Sequence, residues 1–396
     1  MKKFRNFLIF LYPIVLPMSL GYHFRLSSSL VFGVPIDYLM PAIFLSDLVG
    51  LGLLVSVLHS RPKYSLEIKL LILAILVSAL PLAQGISTIQ AWYGFARLGG
   101  LIATSVVFFQ LLKSIQNKAF IMKGIGVSIV LQSFWGIFQV LLNQNLTGYF
   151  PFGETALMIY SPAIAKVTLF GHTFLRAYGT TPHPNVLAGI LVLFMLILVS
   201  TSQYTNKYVV GVGVIGLLFT ASRSGILAFG ISLIYLLWQR KIKLKVTLIG
   251  LICVFMLGVF KLFPVGFESL SLVERLEYSR LSISLFRENF VTGIGLNQFI
   301  YHLPFSTNLE LEGRNLQPVH NIFLLWIVET GALGLLSLVG FGAFLRHRIK
   351  NFPSYKKALL LSILILGSLD HYLLTLPMGM GLLGISLAFM LSSPHE

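Results

Sequence analysis

Cysteine and charge are both scarce in this chain: 396 residues contain one cysteine and 13 acidic residues, and only 11% are charged. A single thiol, Cys253, forms no intramolecular disulfide and no thiolate metal cluster, and its place in an apolar stretch predicts a buried structural thiol. With 56% hydrophobic residues and a mean hydropathy of +0.86, so little charge excludes an ordinary soluble domain. Three motifs are also missing: an Asp-x-Asp pair that would hold a nucleotide sugar through a metal, a GxxxxGK phosphate loop and a His-Glu-x-x-His zinc helix. Cytoplasmic nucleotide-dependent chemistry is therefore disfavoured, and no cofactor is expected.

What is there is apolar and long. A membrane-spanning helix needs about 20 mostly apolar residues, and about twelve candidates occur, centred near residues 14, 47, 75, 102, 130, 194, 214, 231, 254, 332, 366 and 384. The fold class expected is an all-α polytopic membrane protein. Basic residues recur in alternate loops, as in Lys2–Arg5, Arg61, Lys63, Lys113–Lys123, Arg240–Lys245 and Arg346–Lys357. By the positive-inside rule these loops and both termini are cytoplasmic, which places the chain as a multi-pass protein of the cytoplasmic (inner) membrane. The net charge of +16 is then a topology signal with some attraction to membrane lipids, and nucleic acid is not an expected partner. The layout reads as helices 1–5 in residues 1–142, a first extracytoplasmic loop at 143–185, helices 6–9 in 186–263, a second extracytoplasmic loop at 264–319 and helices 10–12 in 320–396. The remaining connections read as short.

The basic residues on the opposite side are nearly all arginine: Arg25, Arg176, Arg223, Arg275, Arg280, Arg287 and Arg314, against Lys166. Arginine offers a planar fork of donors that grips phosphate oxygens two at a time, whereas lysine is a point charge. Either positive-inside selection tolerates these arginines or they build an external phosphate or pyrophosphate site. In the second loop, Glu268 to Phe290 has helical periodicity. Val273, Leu276, Ile283 and Phe290 share a stripe with Arg280 and Arg287, the pattern of an amphipathic helix lying on a membrane surface.

Three polar stretches interrupt the apolar pattern. Arg176–Asn185 reads RAYGTTPHPN, in which Asn185 is a candidate N-cap for the next helix and His183 a polar neighbour. Thr220–Gly225 reads TASRSG and puts Arg223 at a membrane boundary, where an ionisable group is expensive unless paired or facing water. Arg314–Leu336 reads RNLQPVHNIFLLWIVETGALGLL, with His320 and Asn321 at the start of a span. Histidine is suited to take a proton from an acceptor hydroxyl near neutral pH, and equally to cap a helix. Glu329, about 13 Å further along the axis and on the opposite face, is not its partner and reads instead as paired with an intramembrane group such as Arg97. Asp370-His371-Tyr372 marks the end of the eleventh span, where a structural role is expected.

In order and spacing, RAYGTTPHPNVLAG at 176–189, SRSG at 222–225, SRLSISLFRENFVTGIGLNQF at 279–299 and VHNIFLLWIVETGALGLL at 319–336 resemble the O-antigen ligase and polymerase superfamily of membrane glycosyltransferases. The resemblance implies transfer of a glycan from a polyprenyl-pyrophosphate-linked donor to a glycan, lipid or protein acceptor on the extracytoplasmic face, without a metal. It implies His320 as the catalytic base and Arg176, Arg223, Arg280 and Arg314 as pyrophosphate-binding groups, with His183, Asn185 and Asn321 in support. A polymerase of the same superfamily, a transporter or flippase for lipid-linked glycans, and a nonenzymatic scaffold are the competing expectations.

Overall fold

The computed structural model describes residues 2–59, 72–73, 76, 85–161, 164–169, 171–201, 206–239, 247, 249–253, 256, 258, 270–306 and 316–392. The spans expected near residues 75 and 254 fall almost wholly outside the described residues, as does Arg314. Within them the chain is mostly helical. The helices are α1 (Lys2–Val15), α2 (Leu45–Leu58), α3 (Thr88–Leu111), α4 (Ile115–Leu142), α5 (Pro184–Val199), α6 (Lys207–Phe219), α7 (Arg223–Gln239), α8 (Leu270–Glu288), α9 (Phe299–Ser306), α10 (Ile322–Ile349), α11 (Ser354–Leu369), α12 (Tyr372–Thr375) and α13 (Pro377–Leu391). By length and composition α3, α4 and α10 can each cross a membrane, consistent with a polytopic membrane protein.

Three expectations need correction. Short antiparallel ribbons interrupt the all-α picture: β1 (Gly21–His23) pairs with β4 (Ala42–Phe44), β2 (Leu30–Val31) with β3 (Val34–Pro35), and β5 (Lys166–Leu169) with β6 (His172–Leu175). The first two ribbons make residues 21–44 a third substantial connecting segment. Its tyrosines, leucines and valines merge in sequence with the flanking apolar runs, although alternation suits a strand as well as a span. Cys253, lastly, is exposed rather than buried; a lone thiol behaves as a small hydrophobe and sits on an apolar surface as readily as in a core.

The centre of the molecule is α5. Its sequence PNVLAGILVLFMLILV is apolar on every face, so no orientation keeps it at a polar boundary. Every residue from Val186 to Leu198 is buried, and α4, α6, α7, α11 and α13 pack around it. Pro184 sits in its first turn, where the missing N–H costs nothing and φ is preset. Outside this ring α13 packs on α3 and α1 on α4.

Helix α10 is broken at Gly331, where φ is 65° and ψ −148°, a conformation open essentially to glycine alone. The break lets Gly293 press against it. A Cβ on Gly331 would lie 2.4 Å from the Gly293 nitrogen. Ile294 N–H donates to the Val328 carbonyl and Gly295 N–H to the Glu329 carbonyl, both at 3.0 Å, and Ala332 N–H to the Phe290 carbonyl at 2.7 Å. The freed carbonyls of the broken helix are thus satisfied by the chain leaving α8. Glu329 does not pair with Arg97. It receives the backbone N–H groups of Asn297, Gln298 and Phe299, where α9 begins. Arg97 pairs with Asp47 at 2.9 Å.

Gly331→Ala is expected to destabilise the protein by about 2 kcal/mol or more, read as a lowered unfolding temperature of the detergent-solubilised protein. Gly340→Ala is the control: a methyl there meets nothing within 4 Å and leaves the temperature unchanged or slightly raised.

Candidate functional site

The site begins with a loop that two glutamines hold in place. Gln132 and Gln139 are seven residues apart on α4, two helical turns, and so face the same way. Gln132 accepts Thr180 N–H at 3.0 Å and donates to Thr180 Oγ1 at 2.8 Å. Gln139 accepts the N–H groups of Tyr178 and Gly179 at 3.1 and 2.8 Å and donates to the Gly179 carbonyl and to Glu154, both at 2.7 Å. Buried backbone donors must find partners, and here side chains supply them. Two amides at this spacing in the apolar second half of α4 are the sequence signal for the arrangement.

Pinned this way, the loop delivers His183 to the N-terminus of α5. His183, not Asn185, is the N-cap: its Nδ1 accepts Asn185 N–H at 3.2 Å. Asn185 is therefore free to bridge. Its Oδ1 accepts from Arg176 Nη2 at 2.9 Å, and its Nδ2 donates to Asp370 Oδ2 at 2.9 Å. One amide joins the loop before α5 to the turn after α11.

These groups line a cavity of about 940 Å³ that also receives Arg223, Arg275, His320, His371, Lys166, Glu274, Asp37 and Tyr38. Arg223 opens α7 after a turn in which Ala221 takes a positive φ of 49°. The three guanidinium groups are only partly satisfied. Arg176 Nε donates to the Thr220 carbonyl at 2.7 Å and Arg275 Nη1 to the Leu369 carbonyl at 2.7 Å, while Arg223 Nη1 is buried without a partner. None of the three forms an ion pair with a carboxylate among the described residues; the salt bridges found there are Arg97–Asp47 and Arg280–Glu277. Arginines lining a cavity with spare donors fit an oxyanion better than they fit a packed interface.

His320 stands beside two groups whose sequence context suggests a structural role alone. Its ring lies 5.0 Å from the ring of His371, centre to centre, and Tyr38 stacks edge-on against His371 at 5.2 Å. His320 Nδ1 is buried and unpartnered. His371 is tethered, with Nδ1 2.8 Å from Thr375 Oγ1, and its own N–H donates to Asp370 Oδ1 at 2.8 Å.

Of the residues expected at the site, the structure brings His320, Arg176, Arg223, His183 and Asn185 together. Asn321 plays a different part, because its side chain accepts the N–H groups of Phe323 and Leu324, both at 3.0 Å, and caps α10. Arg280 stands apart from the cavity lining; its side chain is 75% exposed and bonds Glu277 at 2.8 Å. The cause is the rotation of α8. The stripe Val273, Leu276, Ile283 and Phe290 is exposed, while Glu274, Tyr278, Leu281, Ser282 and Leu285 are buried. The buried side of α8 reads as less apolar than the exposed one, so a hydrophobic stripe points the wrong way. Arg275 is the arginine that α8 contributes to the cavity.

Burial and mutual repulsion set the charge states. Desolvation lowers the Arg176 guanidinium to about 10, with Arg223 adding repulsion. His183 is pushed down to about 3, first by burial and then by Arg176, and His371 to about 4 by burial. His320 is lowered by burial and by His371. Burial opposes ionisation of Asp370, but His371, His320 and Arg275 outweigh it and hold the carboxyl below its usual range. Near neutral pH the three imidazoles are therefore neutral, Asp370 is ionised and the arginines keep their charge.

A mostly helical protein that gathers neutral imidazoles and arginines with no ion-paired carboxylate among the described residues in one cavity can hold an anion there. Residues 208–339, from α6 into the second half of α10, match the family model described as O-antigen ligase; the match supports membership of the O-antigen ligase superfamily. The matched stretch includes Arg223, Arg275 and His320, whereas Arg176, His183, Asn185, Asp370 and His371 lie outside it. No curated protein matches the chain.

A histidine whose folded value is depressed stabilises the fold above its ordinary value of 6.5 and withdraws that stability as pH falls. Below about 6.5 the unfolded chain takes up protons that folded His183 and His371 refuse until about 3 and 4. The unfolding temperature is expected to fall by several degrees between pH 7 and pH 4.5. His183→Asn, which keeps a good cap and removes one titration, should flatten that fall; an unchanged slope contradicts the assignment.

Proposed function

We propose that the protein is an extracytoplasmic membrane glycosyltransferase that moves a glycan from a polyprenyl-pyrophosphate carrier to an acceptor hydroxyl, in the manner of an O-antigen ligase. The single observation that carries this reading is the cavity in which His320 meets Arg176, Arg223 and Arg275, none of which forms an ion pair with a carboxylate among the described residues. In this scheme Arg275 takes the place that the sequence resemblance gave to Arg280. The cavity faces outward, both termini lie in the cytoplasm, and about twelve spans complete the fold, because the basic loops fall on the opposite side.

The chemistry asks little of covalent catalysis. A ring nitrogen of His320 takes the acceptor's hydroxyl proton as its oxygen bonds to the anomeric carbon. The bond from that carbon to the pyrophosphate oxygen breaks, and the electron pair leaves on the pyrophosphate. Pyrophosphate is already a good leaving group, so the remaining demands are a fixed geometry and fixed donors where charge develops. Arg176 meets both demands: Asn185 and the Thr220 carbonyl hold its guanidinium with donors to spare. His320 supplies the lone pair, and Asp370, anchored through Asn185, offsets the imidazolium charge that forms. A lysine at Arg176 would lose both the fork and the tether.

His320→Ala is expected to lower transfer from a defined lipid-linked oligosaccharide by about 10²- to 10⁴-fold, with protein level and membrane insertion unchanged. Undiminished transfer removes the base. Movement of lipid pyrophosphate across liposomes without release of free carrier pyrophosphate would replace the transferase with a transporter.

A further inference from the structure

His320, Asp370 and His371 each offer one ligand atom, and these atoms lie within 4.8 Å of one another. His320 belongs to the stretch matched by the family model, and Asp370 and His371 come from the turn between α11 and α12. We propose that it binds a single zinc ion, and that zinc there acts as an inhibitor rather than a cofactor. The existence of the metal site is independent of the transferase reading; its inhibitory effect rests on it.

The donor set selects the metal. Two imidazoles and one carboxylate suit zinc and its transition-metal neighbours, whereas magnesium and calcium need an oxygen-rich sphere. The supporting contacts are those of a ligand set. Thr375 holds His371 by Nδ1 at 2.8 Å, which leaves Nε2 for coordination. Asn185 and the His371 N–H fix Asp370 through its two oxygens. His320 is the mobile member, because its Nδ1 is buried with no partner to lose. Zinc bonds of about 2.1 Å place tetrahedral ligand atoms about 3.4 Å apart, so the cluster closes by rotation of His320 toward its two tethered neighbours. All three side chains line the cavity, which leaves room for water in the fourth position. Arg275, within electrostatic reach of all three, opposes a cation, so binding is weaker than at a dedicated structural zinc site. A zinc ion bound this way takes the lone pair that would accept the proton of a hydroxyl.

The test is isothermal titration of ZnCl₂ into the purified, metal-free full-length protein, alongside X-ray absorption of the zinc-loaded sample. One saturable site with imidazole ligands is expected. His371→Ala should weaken it by about 100-fold, and Thr375→Val, which removes only the support, by about 10-fold. The proposal is overturned by the absence of a saturable site, by equal binding in the His371→Ala protein, or by magnesium binding as tightly as zinc. The effect of His320→Ala on transfer by zinc-free protein is a separate result, and it stands or falls without reference to zinc.

Discussion

The side chain of Asn185 holds the site together. Its two ends reach Arg176 and Asp370 at 2.9 Å each, and it can do so because His183 has taken over the cap of α5. The bridge stands at the end of a helix buried from Val186 to Leu198, so the position of the amide is set by a tightly constrained element. Arg176 is oriented by it directly, Asp370 is anchored by it, and through Asp370 the backbone of His371 is fixed beside His320.

The charge pattern then has a simple logic. Three guanidinium groups line one cavity with no ion-paired carboxylate among the described residues, and their hydrogen bonds go to neutral carbonyls and an amide. A neutral acceptor orients a guanidinium without discharging it. The cost is burial of the cations, which depresses Arg176 first, with repulsion from Arg223 added to it. Burial first, and the nearby cations second, keep the neighbouring histidines neutral.

Much of this was legible in the sequence, because a bilayer makes some patterns unambiguous. Apolar runs announced the helices near residues 102, 130, 194, 214, 231, 332, 366 and 384, and polar breaks in those runs announced His320, Arg176, Arg223, His183 and Asn185. What was not legible depended on direction rather than on composition. The stripe on α8 was real, but in a membrane protein an apolar stripe faces outward as readily as inward, and Arg280 went outward with it. Residues 21–44 read as a brief connection because short ribbons rich in Tyr, Leu and Val resemble the ends of spans. Asp370 and His371 read as a helix terminus because their importance lies in what folds against them, and Gln132 and Gln139 were silent because a polar residue in a span shows its partner only in three dimensions.

The central claim is that one face of α8 presents Arg275 to a pyrophosphate while Arg280 serves the exterior. Equilibrium binding of a polyprenyl pyrophosphate to the protein in lipid nanodiscs tests it most directly. Arg275→Ala should weaken binding by at least about 10-fold, roughly 1.4 kcal/mol, with Arg280→Ala indistinguishable from the unaltered protein. Loss in the Arg280→Ala protein with none in Arg275→Ala would contradict the account.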